Sequence, residues 1–155
     1  MRPEHILAIG EQESNFGVNM GRTAELQAVA NRPADLKAVY VLAGKGALPA
    51  PLPNLRGSKT GAQGPWQFQP ATCQSVGCHP YDWSKLIGES VPRLLTLDGY
   101  KAGDRQSQHR AFCRYYGKCA DRDADYANDI ERKAANIKAG LDRLAPSSPV
   151  AAAKP

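Results

Sequence analysis

The chain has 155 residues, enough for one domain of ordinary size whose core needs neither a metal nor many crosslinks. Its 20 Lys and Arg residues against 15 Asp and Glu residues give a formal net charge of +5, which favours an anionic partner. Nothing approaches about 18 consecutive apolar residues, which excludes a transmembrane helix. The basic residues form no long run and no nucleic-acid-binding motif, so charge alone is a weak argument for nucleic acid as the partner.

The first predicted helix, within residues 5–17, contains two glutamates that would lie on different faces of the helix. The residues three, four and seven positions before Glu13 would share its face of the helix, and they are Gly10, Ile9 and Ile6. Glu13 therefore lies on the apolar face, whereas Glu11 falls off it. A carboxyl group on that face loses hydration, which raises its pKa and suits a general acid. The alternative is a helix-end glutamate that stays in solvent or caps a neighbour.

The rest of the chain predicts a mainly helical domain. Capping residues, prolines and glycines delimit helices at about residues 23–31, 33–44, 70–77, 84–99, 104–117 and 126–144. Ser84 and Asp104 are the expected N-caps, and Pro92 is expected to break the helix that contains it. The last helix has the cleanest period, with apolar residues at Tyr126, Ile130, Ala134, Ile137, Leu141 and Leu144. Because no segment alternates as a strand would, the fold class is mainly α.

Two segments outside the predicted helices differ in composition from the rest of the chain. Prolines and glycines at residues 46–59 exclude helix and predict a long loop. At residues 57–72, glycines would let the backbone approach a ligand, Gln67 offers a donor and an acceptor, and Trp66 or Phe68 offers a flat apolar face. This combination suits a sugar, although a tight turn anchored in the core by an aromatic side chain would look the same. Residues 1–145 form the predicted domain, and residues 146–155 form a disordered Pro/Ala/Ser tail.

The four cysteines fall into two local pairs. Three disulfide connectivities are open to Cys73, Cys78, Cys113 and Cys119. Proximity in sequence favours Cys73 with Cys78 and Cys113 with Cys119, which implies an oxidising compartment. The alternatives are a zinc site that includes His79 or His109, and free buried thiols.

Two motifs occur in order along the chain. Residues 13–17, Glu-Ser-Asn-Phe-Gly, are similar to a helix-ending Glu-Ser/Thr-x-x-Gly motif, and residues 57–71 are similar to Gly-Ser-x-x-Gly-Ala-x-Gly-x-x-Gln-Phe-x-Pro-Ser/Ala. Together they resemble the lytic transglycosylases of the lysozyme-like superfamily, particularly the membrane-bound lytic transglycosylase B type. With weaker similarity at residues 87–91 and 114–117, the likeness runs over most of residues 5–144. It implies an α+β lysozyme-like fold, a single compact helical domain with a small irregular β/loop region that lines a substrate cleft.

The resemblance also implies roles for individual residues. Glu13 matches the single catalytic acid and base. The residues implied to bind substrate are Ser14, Ser58, Gln67, Phe68, Tyr115 and Tyr116. Tyr116 departs from the family, which usually has asparagine there, at the position that holds the substrate N-acetyl group. The family's acidic calcium loop is also absent, since residues 73–83 occupy its place, so we expect no metal and no cofactor.

The implied reaction is cleavage of the β-1,4 bond between N-acetylmuramic acid and N-acetylglucosamine in peptidoglycan, with formation of a 1,6-anhydro sugar. The expected partner is the peptidoglycan glycan strand rather than nucleic acid. We expect a monomer in the periplasm or secreted to the cell envelope, or alternatively a phage virion component. Two other functions stay open at this point. One is a hydrolytic muramidase of the same fold, in which Asp82 or Asp104 positions water; the other is a non-catalytic wall-binding or structural module.

Overall fold

The structure, a computed structural model, describes residues 1–19, 32–50, 60–117 and 124–145. The helices are α1 (Pro3–Ser14), α2 (Ala34–Leu42), α3 (Pro70–Val76), α4 (Trp83–Lys85), a π-helical turn (Leu86–Ser90), α5 (Val91–Leu97), α6 (Arg105–Tyr116) and α7 (Ala124–Leu144). The predicted mainly helical fold is confirmed. No helix within these ranges is long and apolar enough to cross a membrane. The predicted helix at 23–31, most of the loop at 46–59 and the tail at 146–155 lie outside the described residues.

Helix α1 forms the centre of the fold. Each residue from Glu4 to Glu11 is buried, so the helix is enclosed on all sides rather than along one stripe. The prediction that Glu11 lies off the buried face is therefore wrong. Glu11 is 6% exposed and forms an ion pair with Lys45. A buried carboxylate needs such a partner, because desolvation of an unpaired charge is costly.

Helix α7 packs against α1, α2 and α6. Its predicted apolar face is confirmed. The buried members of that face are Tyr126, Ile130, Ala134 and Ile137, and Leu141 and Leu144 pack at the edge of the core. Gly140 lies where α2 comes closest, and a methyl group there would collide with the backbone carbonyl of Val39. Close helix packing thus depends on the missing side chain.

Several helix ends follow the predicted capping residues. Pro70 begins α3, and Gly77, in the left-handed conformation with φ 66°, follows its last residue. Asp104 caps α6 by accepting a hydrogen bond of 3.1 Å from the Ser107 amide. Gly117 ends α6 in the same left-handed manner as Gly77.

The region from 83 to 97 differs from its prediction in two ways. Asp82, not Ser84, is the N-cap, because its carboxylate accepts a hydrogen bond of 3.1 Å from the Lys85 amide. The chain also stays helical through Pro92 instead of breaking there, with the π-helical turn immediately before α5. Pro92 lies in the first turn of α5, and the wider turn ahead of it tolerates a residue that donates no amide hydrogen bond.

The predicted disulfide between Cys73 and Cys78 is confirmed, and it ties α3 to the loop before α4. Cys113 is also disulfide-bonded. Its predicted partner, Cys119, lies outside the described residues. The part of the chain that is described contains no group of three or more His, Cys, Asp or Glu side chains that could hold a metal ion.

Candidate active site

Glu13 lies in the last turn of α1, where the chain leaves the helix abruptly. Asn15 and Phe16 both have positive φ, 48° and 54°, and the Phe16 amide donates back to the Gly10 carbonyl at 3.2 Å. This turn leaves Glu13 half-buried beside α7. There its Oε1 accepts a hydrogen bond of 2.7 Å from the Tyr126 hydroxyl.

The surroundings of Glu13 favour its neutral form. Burial raises the pKa of its carboxyl group, and the hydrogen bond from Tyr126, which stabilises the ionised form, offsets only part of that effect. The direction agrees with the one predicted from the helical phase. A carboxyl group that keeps its proton to higher pH is suited to act as a general acid near neutral pH.

Three tyrosines are linked to this carboxyl group: Tyr126 directly by its hydrogen bond, and Tyr116 and Tyr115 less directly. The Tyr116 ring stacks on the Tyr126 ring with centroids 4.8 Å apart, and Tyr116 is 48% exposed. Tyr115 donates a hydrogen bond of 2.6 Å to the Trp66 carbonyl. Burial, and then the nearby Glu13 charge, raise the pKa values of Tyr115 and Tyr126 well above the usual value. Both phenols therefore stay neutral and can donate a hydrogen bond.

A tight turn at residues 63–68 packs against the middle of α1. Gln63 and Phe68 pair in an antiparallel bridge with two backbone hydrogen bonds of 2.9 Å. The Trp66 indole donates to the Ile6 carbonyl at 2.8 Å, and its ring lies 2.7 Å from where a methyl group at Gly10 would be. Trp66 is thus the core anchor of this turn, which is the second of the two roles that the sequence allowed for it.

Two predicted substrate-binding residues instead hold this turn in place. Ser14 is 1% exposed, and its hydroxyl donates to the Pro65 carbonyl at 2.6 Å and accepts from the Gly17 amide at 2.8 Å. Phe68 is 2% exposed and packs edge-on against Tyr115, with centroids 6.1 Å apart. Since neither side chain reaches the surface, the structure supports a positioning role for both rather than direct contact with a sugar.

The other predicted substrate-binding residues differ in where they lie. Tyr115 lies close enough to Glu13 for the Glu13 charge to raise its pKa, and Tyr116 stacks on Tyr126, the hydrogen-bond partner of Glu13; their implied contacts with substrate stay predictions. Gln67 is half-buried, and its side-chain amide donates to the Gly64 carbonyl of its own turn at 2.8 Å. Ser58 lies outside the described residues.

The sequence did not indicate Tyr126 as a site residue, because Tyr126 belongs to the periodic apolar face of the last predicted helix and was expected in the core. The one hint was its hydroxyl, which a buried tyrosine must satisfy with a partner.

The carboxylates considered as a second catalytic group have other partners. Glu11 pairs with Lys45, and Asp82 and Asp104 accept hydrogen bonds from backbone amides at helix starts. Asp104 precedes α6, whereas Tyr115 and Tyr116 end it, which places them about 18 Å apart along 12 residues of helix. The structure adds Asp98, whose charge contributes to the raised pKa of Tyr115.

Comparison with protein-family models, with curated proteins and with solved structures finds no match. The chemistry that the site can perform follows from its side chains. One carboxyl group with a raised pKa can give a proton to a leaving oxygen and later accept another. The exposed ring of Tyr116 offers an apolar surface next to it.

Proposed function

We propose that the protein is a peptidoglycan lytic transglycosylase in which Glu13 is the single catalytic acid and base. The observation that carries this proposal is the half-buried carboxyl group of Glu13, with its raised pKa and its hydrogen bond from the neutral hydroxyl of Tyr126. The motifs at residues 13–17 and 57–71 support the same class, with its lysozyme-like fold and substrate cleft.

The proposed reaction needs one carboxyl group in two protonation states. Neutral Glu13 donates its proton to the glycosidic oxygen as the bond to the anomeric carbon breaks, and the carbonyl oxygen of the substrate's 2-acetamido group attacks that carbon. Ionised Glu13 then removes the proton of the C6 hydroxyl, whose oxygen displaces the acetamido oxygen and closes the 1,6-anhydro ring. The Tyr126 hydroxyl stabilises the ionised stage by donating to the carboxylate.

Other properties of the chain suit this role. The disulfide between Cys73 and Cys78 suits an oxidising compartment, such as the periplasm or cell envelope. The net charge of +5 attracts an anionic wall polymer. We extend the proposal to a monomer that acts on glycan strands of the cell wall, either in the cell that makes it or as part of a phage virion.

Digestion of purified peptidoglycan, followed by mass analysis of the products, tests the proposal. We expect fragments that are one water lighter than hydrolysis products and lack a reducing end. Glu13→Gln should lower the rate at least about 10²-fold, because the amide cannot transfer the proton. Glu89→Gln, an exposed change in the π-helical turn, is the matched control and should keep full activity. Equal activity of wild type and Glu13→Gln would contradict a catalytic role for Glu13.

A hydrolytic muramidase is the second candidate, since Asp98 acts on the same Tyr115 as Glu13 does. Burial raises the pKa of Asp98, while its neighbour Arg114 opposes that shift. If Asp98 positioned a water molecule, the products would carry a reducing end and Asp98→Asn would abolish their formation. Anhydro products that persist in Asp98→Asn would exclude this alternative.

A further inference from the structure

An open cavity of about 670 Å³ lies on the side of the 63–68 turn that faces α4. It is lined by Pro33 and by residues 79–84. The disulfide between Cys73 and Cys78 fixes the start of this second segment, and the Asp82 cap on α4 fixes its end. The wall of the cavity is therefore held by covalent and hydrogen-bonded contacts on both sides.

This cavity adjoins the candidate active site through a short series of contacts. Ser14, the neighbour of Glu13, donates to the Pro65 carbonyl, and a methyl group on the adjacent Gly64 would collide with the Pro80 carbonyl. Arg32, which precedes Pro33 in the sequence, donates to the Phe16 carbonyl at 2.9 Å. The cavity and the candidate active site are therefore linked through the 63–68 turn and the residues that follow α1.

The lining residues favour a cationic group. Among the described residues that line the cavity, Asp82 is the one carboxylate, it is exposed, and no Lys or Arg accompanies it. Tyr81 and Trp83 flank it in the sequence and line the same space. A carboxylate next to aromatic rings recognises an ammonium group through a charge-assisted hydrogen bond and cation–π attraction. The two prolines add apolar surface that donates no backbone hydrogen bond.

We propose that this cavity binds the free amine of the diamino acid in the peptide stem of peptidoglycan. The inference rests on the proposed function, because it takes the wall polymer as substrate. The glycan itself carries no ammonium group, whereas a stem peptide exposes one until its amine is acylated in a crosslink. Asp82 would thus direct the enzyme to stems whose amine has not accepted a crosslink.

The test uses the stem tetrapeptide N-acetyl-L-Ala–D-Glu–diamino acid–D-Ala as the probe, in which the side-chain amine of the diamino acid is the one free amine. Both tryptophans of the chain, Trp66 and Trp83, lie together with ring centroids 5.4 Å apart, so intrinsic fluorescence reports on this cavity. Asp82→Asn removes the charge but keeps an oxygen that can cap α4. We expect it to weaken peptide binding about tenfold or more, and acetylation of the diamino acid's side-chain amine to weaken binding to wild type equally. Asp142→Asn, an exposed change on α7, is the control and should bind as wild type does.

Three outcomes would overturn the inference. These are unchanged affinity in Asp82→Asn, equal binding of the peptides with a free and an acetylated side-chain amine, and a fluorescence change with peptide-free glycan but not with the tetrapeptide. If Asp82→Asn does not fold, acetylation of the probe on wild-type protein still decides the question. Peptide binding that persists while Glu13→Gln keeps full wall-cleaving activity would refute the proposed catalysis but not this site.

Discussion

Glu11 and Glu13 lie two positions apart on one helix, but they have different partners. Glu11 is buried against the ammonium group of Lys45, whereas Glu13 is half-buried against the hydroxyl of Tyr126. A cationic partner compensates the desolvation of a charge, and a neutral phenol does so only in part. Burial therefore dominates at Glu13, which makes it the proton donor of the pair in the proposed mechanism.

The raised pKa of Glu13 predicts how pH affects stability. Folded protein keeps the Glu13 proton to a higher pH than the unfolded chain does, so this group stabilises the fold less as pH rises through its folded pKa. Glutamine is neutral throughout. The stability of Glu13→Gln minus that of wild type should therefore be larger at about pH 8 than at about pH 4. Urea denaturation of both proteins at the two pH values measures this, and a difference that does not change with pH would contradict it.

Sequence pattern gave part of this site. Helical phase correctly put Glu13 in a partly buried position, but it failed for Glu11 because phase assumes a single buried face and α1 is enclosed on all sides. The contact between Tyr126 and Glu13 joins residues 113 positions apart. Local periodicity carries no information on such a pair, since it depends on how α7 packs against α1.

At the scale of elements, the turn at residues 63–68 connects the centre of the fold to the cavity beside it. Trp66 fixes the turn to α1, and Gly64 lets the turn approach the loop before α4. Gly64 is buried with φ 76°, so its conformation and its surroundings both favour glycine.

Replacement of Gly64 by alanine should be clearly more destabilising than the same change at Gly103. Gly103 has almost the same φ, 74°, but open space around it, so Gly103→Ala measures the conformational cost alone, about 1–2 kcal/mol. Gly64→Ala adds the collision with the Pro80 carbonyl. Thermal and urea unfolding of both variants provides the comparison, and equal losses would show that the loop moves away freely.

The element boundaries show what local chemistry determines. Pro70, Asp104 and Gly117 predicted helix ends correctly, because caps and left-handed glycines act on their own backbone. The π-helical turn before Pro92 was not predictable in this way. The turn spans Leu86–Ser90, just before Pro92, and Leu86 within it and Leu95 in α5 are both fully buried in the core.

At the scale of the whole molecule, the fold is held by α7, which contacts the first and second described helices as well as α6. Gly140 permits a close approach to the backbone of Val39 in α2. A periodic apolar face predicted that α7 would be buried. It could not predict which helices cover it, because the face is continuous and equally suited to several partners.

We expect Gly140→Ala to lower the free energy of unfolding by about 1–3 kcal/mol, even though alanine favours helix more than glycine does. The added methyl group would push α2 away from α7. Gly88→Ala, an exposed change in the π-helical turn with open space around it, shows the helix preference of alanine alone and should raise the free energy of unfolding by up to about 1 kcal/mol. Denaturant titrations of the three proteins distinguish these effects. A stabilised Gly140→Ala would mean that the two helices can separate at little cost.

The hydrogen bond between Tyr126 and Glu13 also has a consequence in time. The ribosome synthesises Glu13 long before Tyr126, and until α7 packs against α1 the Glu13 carboxyl group lacks its hydrogen bond from Tyr126. Under the proposed function, a domain able to cut the wall of its own cell would thus gain its proton donor only once its C-terminal helix is in place. Synthesis of an incomplete chain would then be harmless to the cell that makes it.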